Sequence, residues 1–162
     1  MHWPSTVPAG THDGLTSSLD LLPTIWAAAG VSKAAAEPQA HVGNDLVSLA
    51  QDTPGATPHS SLYWRRAVAA AAREGDWKLI RITNQEGSLQ PPILVNLATD
   101  PGELVNLAAM EPDRRDALME QHNEWEKSLV QPRWLTGEVW RDNQRYKHQP
   151  DVLTRAQERK LP

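Results

Sequence analysis

The residue types best suited to proton transfer and metal binding are present but scattered. Imidazole titrates near neutral pH and is a common zinc ligand, and the chain has six histidines. They form no H-x-H or H-x-x-x-H pair that would set two imidazoles on one metal ion. The spacing therefore predicts no metal site. These residues are His2, His12, His41, His59, His122 and His148.

Hydroxyl and carboxylate groups also lack the partners that catalysis needs. Ser17 and Ser18 precede Asp20, but no G-x-S-x-G elbow occurs, so helix capping accounts for them. Asp142 and Asn143 lie between two arginines, where a solvated loop is favoured over a cation site. Neither G-x-G-x-x-G nor G-x-x-x-x-G-K-S/T occurs as a phosphate loop. The residues by themselves predict no catalytic site.

Charge and composition exclude several classes of partner. The chain has 162 residues and a net charge of −4, with both signs interspersed, so we expect no nucleic-acid-binding face. No apolar stretch approaches the roughly 20 residues that a membrane-spanning helix needs. The absence of cysteine excludes disulfides and a Cys nucleophile. We expect one globular domain, or part of one, that binds neither nucleic acid nor membrane. No feature assigns a compartment.

The first sixty residues contain two different patterns. After an extended piece and a turn, a short helix is predicted from about Asp20 to Gly30. Residues 31–60 are rich in Pro, Gly and small polar side chains, so they are expected to form connecting loops with one helical turn at 46–50. The apolar residues of the first helix form a wide stripe that needs a partner surface: Leu21, Leu22, Ile25, Trp26 and Ala29.

From residue 61 the pattern indicates a small antiparallel sheet. Short β-rich runs at 62–64, 76–82 and 93–97 are separated by Gly and Pro signals. The alanine-rich stretch 67–73 is assigned as a further strand, because a helix has little room there. Pro112 opens a long helix to about Leu129 that should cover the sheet. On its apolar face His122 is expected to be a hydrogen-bonded core imidazole, beside Leu118, Trp125 and Leu129.

Three segments in a fixed order resemble the C-terminal part of type I sulfatases, the formylglycine-dependent arylsulfatase family of the alkaline phosphatase superfamily. Residues 1–30 resemble the family's "rWPG…ipaG…vSslDllPTll…aG" passage, with His2 and Ser5 in place of Arg and Gly. Residues 62–64 and 72–80 resemble "LYW…avRdGdWKLi". Residues 94–107 resemble "LYDLatDPgEqnNLa", with Val95 and Asn96 in place of Tyr and Asp.

This resemblance implies an α+β fold. A small antiparallel sheet of about four strands is packed by one long C-terminal helix, and a strand and helix left from the α/β catalytic domain precede it. The expected domains are 1–30 for that remnant, 31–60 for connecting loops, 61–130 for the sheet-and-helix subdomain and 131–162 for an extended tail. The turn from Asp100 to Glu103 and the Asn106 side chain are expected to close the last strand, which is a structural role.

The resemblance also implies sulfate ester hydrolysis, with calcium and with a formylglycine made from a C/S-x-P-x-R motif. That motif does not occur in this chain, and the family's calcium ligands and sulfate-binding Lys and His belong to segments upstream of Met1. We therefore expect a C-terminal sulfatase fragment that is catalytically incomplete and has no cofactor of its own. The alternatives are a stand-alone partner or binding module that completes or regulates another chain, and an unrelated α+β hydrolase.

Two expectations concern surfaces. A surviving substrate rim would lie around His59, Trp64, Arg65 and Arg73, because guanidinium groups suit sulfate. Solvated arginines beside a core Trp are the simpler interpretation of the same residues. The apolar stripe is expected to bind either the missing N-terminal catalytic domain or a second copy of the chain through Leu21, Leu22, Ile25 and Trp26.

Overall fold

A computed structural model describes residues 3–31, 42–51, 58–66, 68–83, 88–130, 137 and 139–141. The chain divides into an N-terminal unit, Met1–Leu62, and a C-terminal unit, Tyr63–Pro162. The predicted α+β fold is confirmed. The described elements are a 3-10 turn at Ser18–Asp20, helices α1 (Leu21–Ala28) and α2 (Val47–Ala50), strands β1 (Ser61–Arg66), β2 (Ala69–Glu74), β3 (Trp77–Ile82) and β4 (Ile93–Asn96), and helix α3 (Pro112–Lys127).

A reciprocal capping box starts the helical part of the N-terminal unit. The Ser17 hydroxyl accepts the Leu19 N–H at 3.3 Å, and the Asp20 carboxylate accepts the Ser17 N–H at 2.6 Å. Helix α1 follows without a break because Pro23 lies in its first turn, where an N–H would have no intrahelical partner. The helix is followed by Gly30, whose φ of +73° lies in the left-handed region that favours glycine.

Residues 3–7 form a turn. The N–H groups of Thr6 and Val7 both donate to the Trp3 carbonyl, at 2.9 and 2.7 Å. Pro4 and Pro8 have no N–H to offer a strand ladder on either side of this turn. The described residues 3–31 accordingly hold no strand, and the strand expected in the remnant is not formed there. The helical turn expected at 46–50 is present as α2.

The four strands form one sheet in the order β1-β2-β3-β4, with β2–β3 and β3–β4 antiparallel. The β2–β3 hairpin turns between Glu74 and Trp77, and Gly75 there has a φ of +55°. The alanine-rich stretch is thus a strand, as predicted. Its Ala72 is fully buried, because a small side chain fits the contact between sheet and helix.

Helix α3 covers one face of the sheet and packs mainly against β2 and β3. The core on that face consists of Ala72, Leu79, Leu94, Ala108 and Leu118. Ile82, Ile93 and Val95 form a second cluster on the other face, because successive side chains of a strand point to opposite sides. In the described part of the chain, no helix combines the length and the apolarity needed to cross a bilayer.

Asn106 closes the outer edge of β4, as expected from the turn chemistry. Its Oδ1 accepts the N–H groups of Leu94 and Ala108, each at 3.0 Å, and its Nδ2 donates to the Pro92 carbonyl at 3.3 Å. The preceding turn is held by the Asp100 carboxylate, which accepts two backbone N–H groups at 2.7 and 2.8 Å. Both side chains therefore have structural roles.

Candidate functional site

Asp20 is a fully buried carboxylate that collects donors from three segments of the N-terminal unit. Its Oδ2 accepts the Ser17 N–H at 2.6 Å, while Oδ1 accepts the Asn44 backbone N–H at 2.8 Å and the His59 ring at 2.7 Å. Burial raises the pKa of Asp20, but the backbone donors of Asn44 and Ser17 and then His59 together outweigh burial. The pKa therefore lies below its usual 3.8.

Both ring nitrogens of His59 have partners. Nε2 donates to Asp20 in the tautomer that this carboxylate requires, and Nδ1 lies 3.4 Å from the Asn44 amide nitrogen. That amide also donates to the Pro58 carbonyl at 2.5 Å. An Asp–His pair can orient a general base, but the base needs a nitrogen that faces its substrate. Here both ring nitrogens of His59 have partners within the protein, so the Asp20–His59 pair connects segments of the chain.

The loop before α2 approaches the helical segment very closely. A Cβ on Gly43 would overlap the Leu19 carbonyl, so this approach requires glycine. The Thr24 hydroxyl donates to the Asp20 carbonyl at 2.6 Å and accepts the Leu46 N–H at 3.0 Å. These contacts form a connected polar network, which we call the Asp20 cluster: Ser17, Asp20, Thr24, Asn44 and His59.

The C-terminal unit holds an imidazole in a different way. His122 is fully buried; its Nδ1 accepts from Arg81 Nη1 at 2.6 Å and its Nε2 donates to the Trp64 carbonyl at 3.3 Å. Tyr63 stacks on Trp125, with ring centroids 5.5 Å apart, and His122 meets the Trp125 ring edge-on at 5.3 Å. We call these five residues the His122 cluster. His122 is the hydrogen-bonded core imidazole that was predicted.

The surroundings of His122 favour its neutral form. Burial has the largest effect and lowers the pKa of His122 below the usual 6.5. The charges of Arg81 and Arg65 lower it further, against opposite effects of the Trp64 carbonyl and Glu126. A neutral ring has a lone pair on Nδ1, which is what the Arg81 guanidinium needs as an acceptor.

The four residues predicted for a substrate rim are divided between the two units. His59 belongs to the Asp20 cluster, whereas the other three lie on β1 and β2. Arg65 donates to the Val130 carbonyl at 3.2 Å, and Arg73 donates to the Gly75 carbonyl at 2.9 Å. Trp64 is 45% exposed. The rim role of these residues stays a prediction.

The chemical groups that the sulfatase resemblance implies do not fit the described residues. Within the described ranges, no three His, Asp or Glu side chains converge as a metal site requires. The sequence has no C/S-x-P-x-R motif from which formylglycine could be made. The described residues therefore offer no calcium ligand set and no precursor of the aldehyde nucleophile.

Helix α1 has its polar side chain inward and apolar side chains toward solvent. Thr24 is 7% exposed, whereas Leu21, Leu22 and Ile25 are 59%, 46% and 63% exposed. We call these three residues the α1 apolar face. Exposed side chains of this size on one short helix are typical of an interaction surface. Trp26, the fourth residue of the predicted stripe, is partly buried.

Several solved structures are similar to this chain over most of its length. Ps i-CgsB is 26% identical to it over 93% of this chain and 33% of that one, with a TM-score of 0.62. Its complex with k-i-k-neocarrahexaose gives 25% identity over the same shares and a TM-score of 0.65. YidJ of Bacteroides fragilis, assigned as a sulfatase, is 18% identical over 77% of this chain and 28% of that one, with a TM-score of 0.61. No protein-family model and no curated protein matches.

These matches confirm the resemblance to the C-terminal part of a sulfatase, and they support a sulfatase-like origin for the chain. The chain spans about a quarter to a third of the structures that it matches, between 27% and 33% of their length.

Sequence reasoning missed two residues that organise the buried clusters. Asn44 bonds Asp20 across 24 positions, and Arg81 bonds His122 across 41. Neither residue stands in a motif, and a local pattern carries no signal for contacts at such separations. The fold alone brings these residues together.

Proposed function

We propose that this chain is the C-terminal part of a type I, arylsulfatase-like sulfatase and is catalytically incomplete on its own. The parent protein would hydrolyse sulfate esters, with the calcium and formylglycine on its remaining part. The observation that supports this most strongly is the match to Ps i-CgsB over 93% of the chain. The order of the three sulfatase-like segments in the sequence agrees with it.

The α1 apolar face is the surface that we propose binds the catalytic domain. Fully burying a Leu or Ile side chain contributes about 1.5–3 kcal/mol. Burying all three would contribute several kcal/mol, which is comparable with the roughly 5–15 kcal/mol that stabilises a small domain. About two thirds of that matched structure lies outside the part that this chain covers, so a domain of adequate size is available to cover the face.

The second candidate is a stand-alone module that completes or regulates another chain, and the exposure of the same three side chains favours it. The coding DNA upstream of Met1 separates the two proposals. A C/S-x-P-x-R motif in an upstream frame supports the sulfatase fragment. If no upstream frame encodes this motif and the neighbouring gene upstream is intact, the sulfatase-fragment proposal is contradicted.

The docking role of α1 can be tested on the purified chain. We expect hydrophobic-dye binding and concentration-dependent sedimentation, and we expect Ile25→Ser to reduce both without lowering the melting temperature. The matched control is Val105→Ser, which changes an apolar residue of the other unit that is 54% exposed. If Ile25→Ser unfolds the N-terminal unit, the side chain belongs to an autonomous core and the docking role is wrong.

A further inference from the structure

Arg81 is held in place through one nitrogen of its guanidinium. Its Nη1 donates to His122 Nδ1 at 2.6 Å and to Asn123 Oδ1 at 2.9 Å. Its Nε is buried and has no hydrogen-bond partner among the described residues, and an unpaired buried donor is costly. The position of this guanidinium therefore depends on the contacts of Nη1.

The bond between Arg81 and His122 exists in only one protonation state of the ring. A guanidinium donates hydrogen bonds and accepts none, so the ring nitrogen Nδ1 must carry a lone pair. The proton of the neutral ring is then on Nε2, which donates to the Trp64 carbonyl at 3.3 Å. If Nδ1 also takes up a proton, two positively charged donors face each other across 2.6 Å, and the bond is lost.

A carboxylate lies close to the same ring nitrogen. Glu126 is one helical turn further along α3, and its Oε2 lies 3.9 Å from His122 Nδ1 and 3.5 Å from Arg81 Nη1. The Glu126 side chain is 33% exposed, and a partly exposed side chain readily changes its rotamer. A shift of about 1 Å would bring Oε2 within hydrogen-bond distance of a protonated Nδ1.

Free space adjoins the side chains that would have to move. A cavity of about 50 Å³ is lined in part by Arg65, Arg81, Thr83 and Glu126. A water molecule occupies about 30 Å³ in the liquid, so this volume is large enough for a small displacement of a side-chain head group. Close packing normally prevents such a displacement in a protein interior, and the cavity removes that obstacle on one side.

The charged groups that act on His122 come from three elements: Arg65 from β1, Arg81 from β3 and Glu126 from α3 itself. The titratable Tyr63 ring of β1 lies edge-on to His122, with ring centroids 6.3 Å apart. Burial and the two arginines lower the pKa of His122 below its usual 6.5, and Glu126 acts in the opposite direction. The ring of the folded protein therefore takes up its second proton below pH 6.5.

We propose that protonation of His122 exchanges its Nδ1 partner, from the Arg81 guanidinium to the Glu126 carboxylate, and frees Arg81 to move toward the adjoining cavity. Glu126 Oε1 also faces Arg65 Nη1 at 3.5 Å, so the exchange changes a contact between β1 and the end of α3. The C-terminal unit then has one folded arrangement at neutral pH and another in mild acid. All of these residues belong to that unit, so the inference does not depend on the sulfatase proposal.

The exchange is tested by ¹⁵N NMR of the full chain, from pH 7.5 down to about pH 4.5. The ring nitrogens of His122 report its protonation, and the Nε–H signal of Arg81 reports the surroundings of the guanidinium. We expect both signals to change with the same midpoint below pH 6.5, while the amide signals of β2 and β3 remain those of a folded sheet. The control is the Nε–H signal of Arg73, which donates to the Gly75 carbonyl and should not follow that midpoint.

Two results would overturn the proposal. One is a His122 ring that takes up its proton while the Arg81 signal stays unchanged, because the guanidinium would then have kept its place. The other is a ring that remains neutral throughout this pH range or until the sheet unfolds. In that case the folded C-terminal unit has a single arrangement.

Variants on α3 separate a direct bond from a general effect of charge. Glu126→Gln removes the acceptor of the protonated ring, so we expect the ring midpoint to fall by about half a pH unit, a roughly threefold change in the acid dissociation constant. Glu126→Asp keeps the charge but shortens the reach, and the midpoint should fall in this variant too. Glu124→Gln removes the same charge elsewhere on the helix and should leave the midpoint unchanged. A wild-type midpoint in Glu126→Gln or in Glu126→Asp would contradict the bond between Glu126 and His122.

Discussion

Each unit holds an imidazole in a polar network, and the charged partners of the two rings have opposite signs. In the Asp20 cluster, His59 donates its Nε2–H to a carboxylate at 2.7 Å. In the His122 cluster, the ring accepts a guanidinium N–H on Nδ1 at 2.6 Å. A carboxylate partner accepts a hydrogen bond, whereas a guanidinium partner can only donate one and so requires an unprotonated nitrogen.

The packing of the two units depends to different degrees on one charged side chain. The Asp20 carboxylate is the acceptor for three donors from separate segments, so the packing of the N-terminal unit depends on one side chain. His122 makes one hydrogen bond to β1 and one to β3. Its ring also packs among aromatic side chains, so the position of His122 depends on packing as well as on its hydrogen bonds.

Replacing Asp20 with Ala should have the largest effect. The Ser17 and Asn44 N–H groups and the His59 ring would lose their acceptor together, which we expect to cost about 3–5 kcal/mol. The measurement is hydrogen exchange resolved by residue, which should show opening of the N-terminal unit with β2 and β3 still protected. Asp45→Ala, which removes a local carboxylate that accepts the Val47 N–H at 2.9 Å, is the control. Equal destabilisation by both variants would contradict the central role of Asp20.

Replacing His122 with Phe should have a smaller effect that is confined to the C-terminal unit. The ring packing against Trp125 is kept, but Arg81 Nη1 and the Trp64 carbonyl each lose a partner, at a cost of about 1–3 kcal/mol. His122→Gln can donate and accept, so it should cost less. Urea melts followed by tryptophan fluorescence and by exchange of the sheet amides would test this order. A smaller loss of stability in His122→Phe than in His122→Gln would contradict the role of these two hydrogen bonds.

Acidification should weaken the two units in different pH ranges. The folded-state pKa of His122 is depressed, so its contribution to stability is present above 6.5 and is lost as the pH falls through 6.5 toward the folded-state value. The depressed pKa of Asp20 gives a contribution that is present above 3.8 and lost below it. Each slope is at most about 1.4 kcal/mol per pH unit. The groups facing His122 are Arg81, Arg65 and Glu126.

The pH prediction is checked by exchange or melting measured for each unit from pH 7 down to about pH 2, because the Asp20 step lies below 3.8. The sheet amides should lose protection at a higher pH than the amides around α1. His122→Gln should remove the upper step and leave the lower one. A wild-type profile in which both units weaken together, with no change in the variant, would refute the assignment of the upper step to His122.

The local elements of this chain could be read from the sequence because each has a local cause. Gly30 follows the end of helix α1, and Gly75 lies in the turn between β2 and β3. Pro112 begins helix α3, and the helical spacing of Leu118 and His122 indicates its buried face. The resemblance to sulfatases also predicted the Asn106 closure of β4, which the hydrogen bonds confirm. The exception is the strand that the resemblance implies within residues 1–30: the described residues 3–31 hold no strand.

The buried clusters could not be read in the same way. Asp20 was interpreted as a helix-capping residue, but its carboxylate makes no cap bond to α1 and also accepts from residues 44 and 59. Arg81 was treated only as part of a strand. These roles depend on long-range packing, which a single sequence does not encode in any local pattern.

The central claim is that the chain is the C-terminal part of a sulfatase, and one measurement tests it most directly. Hydrolysis of a chromogenic aryl sulfate would be measured in the presence of calcium for the chain alone and for the chain joined to the segment encoded upstream of Met1. We predict turnover by the joined protein and none by the chain alone, because residues 1–162 contain no C/S-x-P-x-R motif from which the nucleophile could be made. Turnover by the chain alone that survives repurification, or an inactive joined protein that folds and carries the motif, would contradict it.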